Sequence, residues 1–199
     1  MGYASRITGI GSHFPQRALT NEELARDLAA KGLETNDAWI VERTGIRERR
    51  IAEPGNPREV NSSLALVAAR KALEMAGKTA EDVDQIIFAT CSPDALMPSA
   101  ACYLQHKLGA KRAYAFDINA ACSGFVYALS IADSFIKAGT VKTSLVLGSE
   151  VLSPITNWDD RTSCILFGDG SGAAVVERTE ESNPRRILSH HMRSEGDLW

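Results

Sequence analysis

Residues 114–125 read YAFDINAACSGF. The first five favour extended backbone, and the pattern predicts a short strand ending near Ile118. Small residues follow. From Cys122 to residue 138 apolar side chains fall nearly all round a helical wheel, and Gly139 ends the run. A helix of that kind is usually buried at the centre of its domain. Strand, sharp turn and helix together form a device that presents a nucleophile. Ala120, Ala121, Ser123 and Gly124 leave room around the Cys122 thiol for a substrate and for close backbone packing. A helix N-terminus offers unpaired N–H groups and the positive end of its dipole, and both favour a thiolate over a thiol. The same N–H groups can hold the oxyanion of a tetrahedral intermediate. The alternative for Cys122 is a small core residue at a strand–helix junction, a common place for free cysteine.

Outward from this segment, Val- and Ile-rich runs alternate with helical patterns. Toward the N-terminus the sequence predicts a strand over 6–11, then a helix opened by Thr20 with Glu23 completing a capping box. Residues 33–60 read as an irregular insertion marked by Pro54, Gly55, Asn56 and Pro57, long enough to suggest function. Further expected elements are a helix over 62–76 stopped by Gly77, a strand over 86–90, and a helix over 99–108 closed by Gly109. Toward the C-terminus a strand is expected over 143–148. Residues 163–177 read as two strands about the Asp169-Gly170 turn, with the Gly-rich run 168–172 as a hairpin rather than a phosphate loop. The stretch 179–186, TEESNPRR, has the polarity of a linker, and a further strand-like run begins at Ile187. The alternation predicts an α/β unit with a mainly parallel sheet covered on both faces and an antiparallel edge from the hairpin.

Composition excludes several classes. The 199 residues are 44% hydrophobic and 24% charged, enough apolar material for a core. A net charge of −3 gives no electrostatic case for nucleic acid. No apolar run reaches the roughly 20 residues of a membrane span. Residues 1–11 lack the build of a signal peptide, so a cytoplasmic protein is expected. The four cysteines show no CxxC spacing, which argues against a zinc site or redox pair. Cys91, Cys102 and Cys164 read as structural.

The segment DINAACSGF resembles the active-site segment of the β-ketoacyl-acyl-carrier-protein synthase III family, the condensing enzymes that start bacterial fatty-acid synthesis. Residues 36–47 (NDAWIVERTGIR) resemble the family's Trp-containing insertion, and 98–102 (PSAAC), 159–161 (DDR) and 167–174 (FGDGSGAA) match in order and spacing. The resemblance implies a thiolase-like fold, in which two α/β halves stack as a five-layered αβαβα sandwich. On this reading 1–178 is the N-terminal half, 179–186 the linker, and 187–199 the opening of a C-terminal half otherwise absent.

The resemblance also implies roles. Cys122 takes an acyl group from acyl-CoA, its own N–H serving as an oxyanion donor. A carbanion from malonyl-acyl carrier protein, formed with loss of CO2, then attacks the thioester. Trp39, Arg43 and Arg161 hold the adenine of CoA, and Thr35 makes a lesser contact. The family's catalytic histidine and asparagine come from the second half. His13, His106, His190 and His191 stand at none of its catalytic positions. Acyl-CoA is a substrate and no cofactor or metal is implied; a homodimer is.

Three departures stand out. Thr162 follows the arginine where glycine is common, and Ser123 replaces an alanine beside the nucleophile. Met97 replaces a phenylalanine that reaches into the partner subunit's acyl pocket, so a different acyl-chain preference is expected. An acyltransferase or condensing enzyme of secondary metabolism on the same scaffold is the nearest alternative function. A non-catalytic half that supports assembly is the alternative of another class.

Overall fold

The computed structural model describes residues 2–196. In chain order its elements are β1 (Tyr3–His13), β2 (Arg17–Thr20), α1 (Asn21–Ala29), α2 (Asp37–Thr44), β3 (Glu48–Ile51), α3 (Asn61–Ala76), β4 (Gln85–Ala89), α4 (Ala100–Leu108), β5 (Tyr114–Ile118), α5 (Gly124–Lys137), β6 (Thr143–Glu150) and β7 (Gly170–Glu180). Five strands form one sheet in the order β1-β7-β6-β4-β5, and β2 and β3 form a separate ribbon.

Every residue of β4 is buried, because helices cover both faces of the sheet at its centre. On one face Ile86, Phe88, Leu145, Leu147 and Val175 pack against the alanine-rich side of α3 and against Leu104 of α4. On the other, Ile87, Val146 and Val176 pack against Ala128, Ala132 and Ile136 of α5. The period-2 alternation of each strand thus divides its side chains between two cores. Helix α3 sits so close to β1 that a Cβ on Gly11 would lie 2.2 Å from the Ala68 carbonyl oxygen, so only glycine fits there. A third cluster joins Leu24 and Leu28 of α1 and Ile40 of α2 to Ile51, Cys164 and Ile165.

The α/β sandwich half is as the sequence predicts, but several expectations need correction. The sheet is mixed: β4 is parallel to β5 and β6, while β7 runs antiparallel between β6 and β1. The antiparallel strand is therefore interior, and β1 and β5 are the edges. There is no hairpin at Asp169-Gly170. Residues 163–166 are turns, and Cys164 is buried in them rather than in a strand. The reason is the Asp169 side chain. Its carboxylate accepts the Ala52 N–H at 2.7 Å, the Ser153 N–H at 2.9 Å and the Ser153 hydroxyl at 2.6 Å. This staples the end of β3 to the 151–169 loop instead of folding the chain back on itself.

The insertion 33–60 holds α2 and β3. Asn36 caps α2 by accepting the Trp39 N–H at 2.8 Å, and Gly45 ends it in the left-handed region. At α1 the Thr20 hydroxyl accepts the Glu23 N–H at 3.2 Å, one half of the predicted capping box; among the described residues the Glu23 side chain makes no return bond to the Thr20 N–H. Helix α5 begins at Gly124, after a 3₁₀ turn over Ala121–Ser123, not at Cys122. It is not buried all round: Val126 and Phe135 are exposed. Strand β7 runs through Thr179 and Glu180, into the stretch read as linker. Residues 187–196 form no strand. One backbone hydrogen bond, Ile187 N–H to Ser5 oxygen at 2.8 Å, ties them to β1, and a single bond does not make a ladder. His190 instead meets the buried Asp133 carboxylate at 2.9 Å, which also accepts the Ser5 hydroxyl at 2.6 Å. The last part of the 187–199 run, residues 197–199, lies outside the described residues.

Candidate active site

Strands β4, β5 and β6 are mutually parallel, and the candidate site lies at their C-terminal ends, where ligands bind in such sheets. β5 delivers the chain to a strained corner. Ala121 has φ 45°, the one non-glycine residue with positive φ among the described residues. Such a conformation costs on the order of 1–3 kcal/mol and tends to mark functional sites. The chain then turns through Ala121–Ser123 and enters α5. Cys122 sits on this corner with its side chain exposed. Among the described residues no side chain caps the head of α5 and no acidic residue occupies its first turn. The Ser123 and Gly124 N–H groups close the 3₁₀ turn onto the Ala120 and Ala121 oxygens, and the backbone donors that open α5 have no side-chain acceptor.

Cys122 opens onto a cavity of about 420 Å³ whose lining includes Leu152, Ile155 and Phe167, together with Cys91 and Glu150. The sequence reading missed the last two. Glu150 ends β6 and Cys91 follows β4. One Glu150 oxygen accepts the Cys91 N–H at 2.8 Å and the Cys91 thiol at 3.2 Å. Its other oxygen accepts the hydroxyls of Thr90, at 3.0 Å, and Ser92. Burial pushes the Cys91 thiol up from its ordinary pKa, and the hydrogen bond and charge of Glu150 push it further. Both stand at the C-terminal ends of strands parallel to β5, Cys91 just past its neighbour β4 and Glu150 on β6 beyond that, a placement only the sheet order reveals.

The loop over 151–169 supplies much of the cavity wall and also carries Arg161. Arg161 and Arg43 both stand on the Trp39 ring, with guanidinium carbons 4.9 and 4.2 Å from its centroid. Arg43 follows Trp39 by one helical turn and donates to its carbonyl at 3.3 Å, and Arg161 donates to the Glu34 carbonyl. An indole flanked by two planar cations is a platform for a flat, electron-rich ring. Thr35 lies beside this trio in the chain, but its hydroxyl oxygen is buried without a hydrogen-bond partner. Thr162 donates its hydroxyl to Asp160 at 2.6 Å, which holds that carboxyl below its usual range.

A family model described as 3-oxoacyl-[acyl-carrier-protein] synthase III matches residues 116–196. The chain is 49% identical to the β-ketoacyl-[acyl-carrier-protein] synthase III of Xanthomonas oryzae pv. oryzae, over 98% of this chain and 58% of that protein. Over nearly its whole length the chain is similar to 3-oxoacyl-[acyl-carrier-protein] synthase III. It spans a little over half the length of the relatives it matches. The crystal structure of the Aquifex aeolicus synthase III superimposes with a TM-score of 0.82 at 49% identity, covering 89% of this chain and 55% of that one. The priming β-ketosynthase of the R1128 polyketide pathway superimposes at 0.81 with 37% identity, covering 88% and 50%. The fold is therefore the thiolase-like α/β fold of synthase III.

Against the synthase III expectations, Cys122 lies at the cavity, and Trp39, Arg43 and Arg161 come together. Met97 does not line its own chain's cavity; it is 82% exposed. None of His13, His106, His190 or His191 lines it either. No group of three His, Cys, Asp or Glu side chains among the described residues is placed to hold a metal ion. No helix among them is long and apolar enough to cross a membrane.

Proposed function

We propose that this chain is the nucleophile-bearing half of a decarboxylating condensing enzyme, and that Cys122 is its acyl acceptor. The observation that carries the reading is Cys122 on a positive-φ corner, at an uncapped helix head, open to an apolar-walled cavity. The thiolate attacks the carbonyl of an acyl-CoA, and N–H groups at the helix head, that of Cys122 included, hold the oxyanion. The CoA thiol leaves and the acyl group stays as a thioester. Malonyl-acyl carrier protein then loses CO2, and its carbanion attacks that thioester to give a 3-oxoacyl carrier protein. The histidine and asparagine that assist this step come from a second half. Trp39, Arg43 and Arg161 hold the adenine end of CoA, with Thr35 as a lesser contact. Every step draws on a thiol, hydrogen-bond donors and a histidine, and asks for no resident cofactor. The working unit is a cytoplasmic homodimer in which Met97 approaches the partner's acyl pocket.

The test is the denaturing mass of the complete two-half protein after exposure to acetyl-CoA. An acetyl adduct is expected on the peptide bearing Cys122 and is lost in Cys122→Ser. A complete, folded protein that never gains it overturns the reading and leaves an assembly role. The likeness to a priming β-ketosynthase of polyketide synthesis favours a second reading, a condensing enzyme of secondary metabolism with the same acceptor. Turnover of malonyl-acyl carrier protein supports the first; acylation without it supports the second.

A further inference from the structure

Two thiols open onto the same cavity. Cys122 and Cys91 are both exposed and both line it. Their closeness follows from the strands that carry them. β4 and β5 are parallel, with Ala89 opposite Ile118, and the Thr90 N–H still donates to the Ile118 oxygen at 3.1 Å. Cys91 is the next residue along one strand end; the Ala121–Ser123 turn follows the other. That turn folds back over β4, since a Cβ on Gly124 would stand 3.0 Å from the Ala89 Cβ. Carried two residues on, that register sets Cys91 level with Ala120, two residues before Cys122, across a strand spacing of about 4.8 Å; a disulfide spans roughly 4.4–6.8 Å between Cα atoms. Cys122 is close enough that its charge adds, after burial and Glu150, to the upward push on the Cys91 thiol.

Their surroundings differ. Cys122 stands at the open head of α5. Cys91 donates its thiol proton to a carboxylate that three other donors hold in place. One sulfur is set for attack, and the other is kept protonated beside a base. A redox-sensitive cysteine poised next to a resolving thiol has this division of roles.

We propose that Cys91 is the resolving thiol for oxidation of Cys122, closing a reversible disulfide across the floor of the cavity. The oxidant is a hydroperoxide. The Cys122 thiolate attacks a peroxide oxygen, the O–O bond breaks, and the departing hydroxide takes a proton to become water. Cys122 is left as a sulfenic acid. Cys91 passes its proton to Glu150, and its sulfur attacks the Cys122 sulfur. The S–S bond forms as the S–O bond breaks, and hydroxide leaves as a second water with the proton from Glu150. Two thiols and one hydrogen peroxide thus give one disulfide and two waters. The disulfide blocks acyl acceptance and shields Cys122 from irreversible over-oxidation. That consequence rests on the acceptor role proposed above; the disulfide itself does not.

The test uses the complete, reduced protein, treated with hydrogen peroxide, alkylated and mapped without reductant. A Cys91–Cys122 linked peptide is expected, with a loss of two hydrogens in the intact mass, both reversed by dithiothreitol. In Cys91→Ser, and in Cys91→Ala as a second variant, the same treatment drives Cys122 to sulfinic and sulfonic acids. The fraction of each protein's own free Cys122 that dithiothreitol restores then drops from nearly all to nearly none. Oxidation of Cys122 with no linked peptide, or recovery in both variants as full as in the parent, overturns the proposal. A protein acylated by acetyl-CoA but never linked sinks this inference and leaves the function intact. A protein that links but is never acylated does the reverse.

Discussion

Trp39 is a residue whose chemistry the sequence could suggest only through its neighbours in a motif. Alone, a tryptophan in an irregular stretch is as well explained by packing over the core, and it does pack beside the α1–α2 cluster. What the structure adds is Arg43 at 4.2 Å and Arg161 at 4.9 Å from its ring, the second from a loop far along the chain. Removing the ring in Trp39→Ala takes away the surface that both cations share. A stacked cation of this kind is worth about 0.5–2 kcal/mol, so KM for acyl-CoA should rise roughly tenfold while kcat changes little. Steady-state kinetics with acetyl-CoA would show it, and a fall in kcat at constant KM would move the indole into the chemistry itself. Cys122 was legible because its neighbours are small and a strand and a helix flank it. Cys91 and Glu150 were not, because nothing local distinguishes a thiol after a buried strand from a structural one. Only the parallel pairing of β4, β5 and β6 makes them neighbours.

At the scale of elements, local periodicity placed the helices well and the connections poorly. α3, α4 and β5 fall where their apolar patterns and glycine stops put them. The Asp169-Gly170 pair shows the limit. As a dipeptide it signals a hairpin, because Asp and Gly suit tight turns. Here the aspartate is 4% exposed and spends its carboxylate on the Ala52 and Ser153 N–H groups. A tertiary use of the side chain thus overrode the turn preference. Asp169→Ala should leave two buried N–H groups without acceptors and cost about 3 kcal/mol, from roughly 1–3 kcal/mol for each stranded group. Urea unfolding would show a lower midpoint at unchanged slope. An unshifted midpoint would mean that water or a shifted loop satisfies those groups. Cavity-wall residues share this loop, so the same variant should loosen the site before the sheet. The misreading of α5 has a different origin. Its sequence is apolar enough for burial on every side, yet periodicity names the faces that want cover without naming what covers them, and Val126 and Phe135 stay exposed.

At the scale of the molecule, the loop after β4 separates into two ends with opposite fates. Cys91 faces the cavity beside Cys122, while Leu96 and Met97 are 95% and 82% exposed. Large apolar side chains presented this openly on one short loop are suited to a surface that another chain covers. If that chain is a second copy, Met97 ends at the closed end of the partner's acyl pocket, and its shape sets the length of chain admitted. Methionine is unbranched and bends to fit its surroundings, whereas phenylalanine is a rigid plug. Met97→Phe should therefore leave acetyl-CoA turnover close to the parent's. For an acyl-CoA longer by several carbons, kcat/KM should fall roughly tenfold relative to acetyl-CoA, since crowding by even one methylene is worth about 1–3 kcal/mol. The comparison needs only the two proteins and a series of acyl-CoAs, straight and branched. Superimposable profiles would show that this loop does not reach the pocket and that chain length is set within each protomer, by the Leu152, Ile155 and Phe167 wall of its own cavity.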